Sequence, residues 1–255
     1  MSLQYLLALL LVMTSTAVAV DQITVAAAAD LNYAMQDIAT RFHQETGNNV
    51  VLTSGASGNF YSQIKSGAPF DIFFSADAEY PRRLAEAGLL QKGSLRTYAV
   101  GRLVLWVPIA LNLDPEKLKS DLLLRPEIQK IAIANPEHAP YGRAAIAALA
   151  HYGLKEKVEG KLVMGESVTQ AAQFVDSGNA QAALIPESLA LSPAMKKTGR
   201  YWVLPADSYP AIRQDAGILS SSQHSKTAQA FMDFVLSKQG AAILQRHGFA
   251  LPREK

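Results

Sequence analysis

The sequence predicts an α/β chain of two lobes, with a cleft between them. Three observations lead there. Short apolar runs alternate with stretches of helical periodicity, the pattern of a mainly parallel sheet covered by helices. A unit of strand, small polar loop and helix occurs at residues 23–35 and 50–64 and returns at 131–149. No long linker separates the halves, whereas the apolar run over residues 98–107 is longer than a usual strand.

Ile23-Thr24-Val25-Ala26-Ala27-Ala28-Ala29 reads as a buried parallel strand. Asp30 is placed to cap the helix that carries Leu31, Met35, Ile38 and Phe42 on one face, and Gly47 ends it. Val50-Val51-Leu52 is the next strand; a Ser/Gly loop follows, and then a helix over residues 61–66. After Gly67-Ala68-Pro69, Phe70-Asp71-Ile72-Phe73-Phe74-Ser75 makes a third strand, and a helix with Leu84 and Leu89 follows it. The run over residues 98–107 reads as a strand leaving the first lobe for the second. Residues 112–126 suit a loop and a short helix.

Ile131-Ala132-Ile133-Ala134 begins the second α/β unit. Pro136 and Pro140 flank its loop, and Tyr141-Gly142-Arg143 lead into an Ala-rich helix reaching Ala150. Leu162-Val163-Met164 and Ala182-Ala183-Leu184-Ile185 are further strands. Between them a helix starts at Ser167 and stops at Gly178. Trp202-Val203-Leu204 and Ala211-Ile212 form the return crossing, and residues 225–244 make a helix pair that packs back on the first lobe. The expected division is lobe I over residues 20–101 and 211–255, and lobe II over residues 102–210.

Composition narrows the function. About half of the 255 residues are apolar and the net charge is +2, with no basic patch interleaved with aromatics, so a nucleic-acid surface is not expected. There is no cysteine, hence no disulfide and no thiolate metal site. His43, His138, His151, His224 and His247 lack metal-ligand spacing. Residues 6–13 are apolar and Ala17-Val18-Ala19 resembles a cleavage signal, so residues 1–19 read as a signal peptide of an exported protein. No Lys or Arg precedes the apolar run. No Cys stands at the cleavage point, so a lipid anchor there is not expected.

The stretch with the most chemistry is Leu52-Thr53-Ser54-Gly55-Ala56-Ser57-Gly58-Asn59-Phe60-Tyr61-Ser62-Gln63-Ile64. A small-residue loop feeding a helix start offers free backbone N–H groups at a positive dipole end, which together bind anions, and serine hydroxyls add donors without charge. One such loop is also what any capped turn looks like; its repetition in both halves is what points to a ligand. In α/β sheets ligands sit beyond the carboxyl ends of the strands, where these loops gather.

Five segments belong together: Val25-Ala26-Ala27-Ala28-Ala29-Asp30-Leu31-Asn32-Tyr33-Ala34-Met35, Ser54-Gly55-Ala56-Ser57-Gly58, residues 67–77, Asn135-Pro136-Glu137-His138-Ala139-Pro140-Tyr141-Gly142 and Gly248-Phe249. With them the chain resembles the periplasmic molybdate-binding proteins that serve ABC transporters. The resemblance covers essentially the whole mature chain. It implies the periplasmic-binding-protein (Venus-flytrap) fold, whose lobes close on one tetrahedral oxyanion, with molybdate the leading ligand and tungstate beside it. It implies contacts from Ala29 and Asp30, from Ser57 by hydroxyl and backbone N–H, from Tyr141 by backbone N–H and phenol, and from the backbone N–H of Val168. No cofactor and no direct metal ligand are implied; the partners are the oxyanion and a membrane permease, and the binding protein is a monomer.

Two positions depart from the family pattern. Many relatives carry Ser or Asn where this chain has Asp30. A carboxylate beside a dianion repels it by on the order of several kcal/mol, even at an effective dielectric of about 20. Asp30 therefore caps its own helix, or is protonated, or accepts a proton from the ligand. Pro186 stands where some relatives place a ligand-contacting Tyr and has no N–H; Tyr141 could replace that contact. Arg143, one turn into its helix, suits lobe closure better than ligand contact, and Ser75 and Asp77 suit structural roles. Specificity should follow from cavity size, because neutral donors avoid burying a Lys or Arg. Three rivals stand beside this reading. An enzyme would need a nucleophile with base and orienter, and no such motif occurs. A regulator's sensing domain would carry a DNA-binding segment where the signal peptide stands. A binding protein for phosphate or sulfate would keep the fold and change the ligand.

Overall fold

The computed structural model describes residues 20–252; the signal-peptide reading falls on residues 1–19 and lies outside them. The first part runs β1 (Gln22–Ala28), α1 (Asn32–Thr46), β2 (Asn49–Gly55), α2 (Ser57–Lys65), β3 (Ile72–Phe74), α3 (Glu79–Glu86) and β4 (Arg96–Gly101). The second runs β5 (Leu103–Pro108), α4 (Pro115–Leu118), β6 (Ile131–Ala134), α5 (Pro140–His151), α6 (Lys155–Val158), β7 (Leu162–Gly165), α7 (Val168–Asp176), β8 (Ala182–Pro186), α8 (Glu187–Ala190), α9 (Met195–Thr198) and β9 (Gly199–Val203). The chain then returns through β10 (Ile212–Ile218), α10 (Ser225–Leu236) and α11 (Lys238–Arg246).

Two five-stranded sheets result, ordered β2-β1-β3-β10-β4 and β7-β6-β8-β5-β9. They share one plan. Three parallel strands sit on one side, and a strand that has crossed from the other half pairs antiparallel with two neighbours: β10 with β3 and β4, β5 with β8 and β9. The long apolar run of residues 98–107 is thus two strands in different sheets, with Arg102 alone between them. Expecting mainly parallel sheets accounts for three strands of each; the crossing strands bring in the antiparallel pairs.

Strand interiors are fully buried on β1 and β6 because helices cover both faces: Ile23, Val25, Ala26, Ile131, Ala132 and Ile133 are all inaccessible to solvent. The C-terminal helices cover the first sheet through an aromatic cluster in which Phe231 meets Phe42 and Phe74 edge-on, with centroids 5.2 and 6.1 Å apart. Gly47, at φ 76°, ends α1 in the left-handed conformation that glycine tolerates best.

Several boundaries differ from expectation: β3 is Ile72–Phe74 rather than 70–75, Leu89 falls beyond the end of α3 at Glu86, and the return strand is Ile212–Ile218 rather than 211–212; two further differences lie at the candidate site. β2 runs on to Gly55, since its parallel register with β1 continues to the Ala28–Gly55 pair; Ser54 and Gly55 are strand, and Ala56 alone separates them from the helix. Helix α2 accordingly starts at Ser57, four residues before the predicted 61.

The start of α5 is held close against the end of β6. A methyl group on Gly142 would run into the backbone carbonyl of Ala134. Because the obstacle is backbone, it cannot rotate aside. Gly142→Ala should lower stability by about 1–3 kcal/mol, read as a lower urea midpoint; an unchanged midpoint contradicts this packing.

Candidate functional site

The carboxyl ends of the strands converge where the two sheets face each other. The end of β1 and the turn after it bring Ala28, Ala29 and Asp30; the β2–α2 junction brings Gly55, Ala56 and Ser57; and Ala76 follows β3. From the other half come Ala139, Pro140 and Tyr141 at the start of α5, and Val168 at the start of α7. These eleven residues line one small cavity of about 10 Å³. All five residues expected from the sequence are among them. Each is buried, from 1% exposed for Asp30 and Ser57 to 5% for Val168, so the two halves are closed over the cavity.

The wall offers neutral donors. Ser57, Tyr141 and Val168 lie in the first turns of α2, α5 and α7, where backbone N–H groups have no partner within their own helix. The Ser57 hydroxyl oxygen accepts the Ala76 N–H at 2.9 Å, which leaves its own proton to donate. Ser167 caps α7 through the N–H of Gln170 at 3.3 Å. No Lys or Arg lines the cavity. Arg143 instead pairs with Asp77 across the two halves and reaches the Tyr80 hydroxyl at 3.4 Å. A second bridge joins the halves at the rim, from the Gly58 N–H to the His138 carbonyl at 3.0 Å.

Asp30 overturns one sequence expectation. It sits in a short 3-10 turn before α1 and its side chain makes no capping hydrogen bond; α1 begins at Asn32. The turn is buried under the opposite half, where the Ser188 hydroxyl donates to the Asp30 carbonyl at 2.7 Å. The carboxylate is drawn inward: Oδ2 accepts from Nε2 of Gln214 at 2.5 Å, and Oδ1 has no partner. Burial is the main influence and pushes the acid up to about 6, against the opposing hydrogen bonds from Gln214 and Tyr141.

Gln214, which bonds Asp30 and Tyr141 from behind the cavity wall, is the residue that sequence reasoning missed. It is fully buried on β10. Its Nε2 also lies 3.3 Å from the Tyr141 hydroxyl, and its Oε1 faces the Tyr98 hydroxyl at 2.8 Å. Tyr98 in turn lies 2.9 Å from the Ser75 carbonyl. Both phenols are held well above their ordinary range, first by burial and then by the negative charge of Asp30. The Tyr141 hydroxyl packs where a side chain on Gly101 would stand, which fixes the ring. The available signal was a polar Gln-Asp pair inside an apolar strand, since a buried amide must find partners.

The remaining positions fall into place around this wall. Pro186 ends β8, buried opposite Leu103, and does not line the cavity. Asp77 accepts from the Tyr80 N–H at 3.1 Å and from the Ser75 hydroxyl at 3.3 Å. Among the described residues no group of His, Asp and Glu is placed to hold a metal ion, and no helix is long and apolar enough to cross a membrane.

Fold and site define a two-lobed solute-binding protein. The chain matches the model of the bacterial extracellular solute-binding protein family over residues 23–250 and belongs to that family. It is similar to the molybdate-binding protein ModA of Azotobacter vinelandii, 39% identical over 90% of each chain. It is also similar to ModA of Rhodobacter capsulatus, 37% identical over 91% of this chain and 89% of the other. Among solved structures, the Azotobacter vinelandii periplasmic molybdate-binding protein aligns with a TM-score of 0.85 at 35% identity, over 91% of this chain and all of the other.

A carboxyl whose value rises from 3.8 unfolded to about 6 folded favours the folded state at low pH. Its contribution falls as pH rises between those values, to a cost of about 3 kcal/mol above them. Asparagine keeps an oxygen for Gln214 and removes the titration. Asp30→Asn should therefore raise the melting temperature of the ligand-free protein at neutral pH, with the gain shrinking toward pH 4; a lower melting temperature at neutral pH contradicts this.

Proposed function

We propose that this protein captures molybdate between its lobes, residues 20–101 with 211–255 and residues 102–210, and delivers it to the permease of an ABC transporter. The observation that carries the reading is the closed cavity at the meeting of α2, α5 and α7, walled by hydroxyl and backbone donors and free of Lys and Arg. Such donors supply hydrogen bonds without fixed countercharge, so a rigid ring of them selects by oxygen-to-oxygen span. Molybdate and tungstate have longer bonds than sulfate, and a ring sized for the first two leaves the third loosely held. The similarity to two molybdate-binding proteins favours molybdate over phosphate or sulfate.

In this reading Ser57 gives its hydroxyl proton and backbone N–H, Tyr141 and Val168 give backbone N–H groups, and Ala29 and Asp30 close the first-lobe side. Tyr141 keeps its phenol in the Gln214 network. Arg143 with Asp77 and Gly58 with His138 latch the closed form. The process is binding and release with no bond made or broken; it needs no cofactor, and a monomer in the periplasm can perform it. Closure is favoured by the ligand to the extent that it binds the closed form better.

Ser57→Ala removes one donor to a charged ligand and should weaken molybdate binding by roughly 1–3 kcal/mol, measured by calorimetric titration against the parent. An unchanged affinity removes Ser57 from the site.

A further inference from the structure

Resting on that reading, we propose that Asp30 is a proton-carrying donor to the bound anion, so that each dianion captured is accompanied by uptake of one proton.

A protonated Asp30 gives both of its buried carboxyl oxygens a use. Asp30 lines the anion cavity and is 1% exposed. Oδ2 is occupied by the Gln214 amide, and Oδ1 has no partner in the protein. A buried carboxylate oxygen without a partner is costly, and a dianion beside it adds repulsion. A proton on Oδ1 reverses both terms. Oδ1–H then serves as the donor toward the anion, while Oδ2 stays the acceptor of Gln214 Nε2. The proton comes from solvent, and no bond between heavy atoms is formed.

The surroundings supply no cation that would keep the carboxyl ionised. On α5 the facing group is the Tyr141 phenol; on β10 it is Gln214 itself, and on β4 Tyr98, reached through Gln214. On α8, Ser188 bonds the Asp30 carbonyl, and Glu187 is held by Arg102 at 3.2 Å. The first turn of α7 brings no acidic residue. Beyond Tyr98 the charged groups are Asp215 and Asp77, the latter paired with Arg143. Both aspartates add to the negative potential. With the halves closed, burial already raises the acid to about 6, and an added dianion moves it further in the same direction. Above that value the free protein is ionised and the complex protonated, so affinity falls as pH rises.

The test is calorimetric titration of the refolded, ligand-free protein with sodium molybdate from about pH 6.5 to about pH 8.5. Two buffers of different ionisation enthalpy are used to count protons. The expected result for the parent is a Kd that rises about tenfold per pH unit over the upper part of the range, with about one proton taken up per anion. In Asp30→Asn the amide donates where the acid did and cannot titrate, so its Kd should be flat with pH and its proton uptake near zero. Molybdate binding by the parent with a flat Kd and no proton uptake overturns the proposal and leaves the oxyanion reading intact. An Asp30→Asn variant that keeps the slope also overturns it, by assigning the proton elsewhere. Absence of molybdate binding at every pH, with the fold intact by circular dichroism, overturns the oxyanion reading and the proposal with it.

Discussion

A doubly charged anion taken out of water must find its hydrogen bonds in the protein. The main elements here are placed either to supply those bonds or to hold the suppliers still. Helices α2, α5 and α7 point their first turns at one cavity from different directions. Helix starts do this without any buried cation, so the site avoids the desolvation cost of a Lys or Arg. In the proposed reading, rigidity decides selectivity. Ser57 is fixed by Ala76, and the approach of α5 to β6 is so close that only glycine fits at 142.

The topology explains how such a cavity can also open. Each sheet is completed by a strand from the other half, so the lobes are tied by two crossings and yet have separate sheets. Across the cleft run polar contacts, among them Gly58 with His138, Arg143 with Asp77, Ser188 with the Asp30 carbonyl and Gln214 with the Tyr141 hydroxyl, beside apolar packing of Ala29 and Leu31 with residues of the other half. Arg143 and Asp77 are part-exposed, and pairs of that kind contribute little on their own. A ligand favours closure only to the extent that it binds the closed form better.

Much of this was legible in the sequence, and what was not has identifiable causes. The apolar runs of β1 and β6 announce buried strands, and the small-residue loops after the strands announce helix starts, because both signals are local. The five residues expected from the resemblance lie in one cavity. The end of β2 was misread because Thr53, Ser54 and Gly55 look like a loop; only pairing with β1 makes them strand. Asp30 was read as a cap for the same reason, since capping is what local chemistry suggests for an Asp before a helix. Its true partner, Gln214, is 184 residues away and reaches it only through the crossing strand. Long-range pairing set by topology is the part that local patterns do not carry.

The central claim is that neutral donors, sized for a large tetrahedral dianion, make this a molybdate-capturing protein. Calorimetric titration of the refolded protein with molybdate, tungstate, sulfate and phosphate near neutral pH tests it most directly. The account predicts one tight site per chain for molybdate and tungstate, with no measurable binding of sulfate or phosphate. Preference for phosphate or sulfate, or silence from all four, would contradict it.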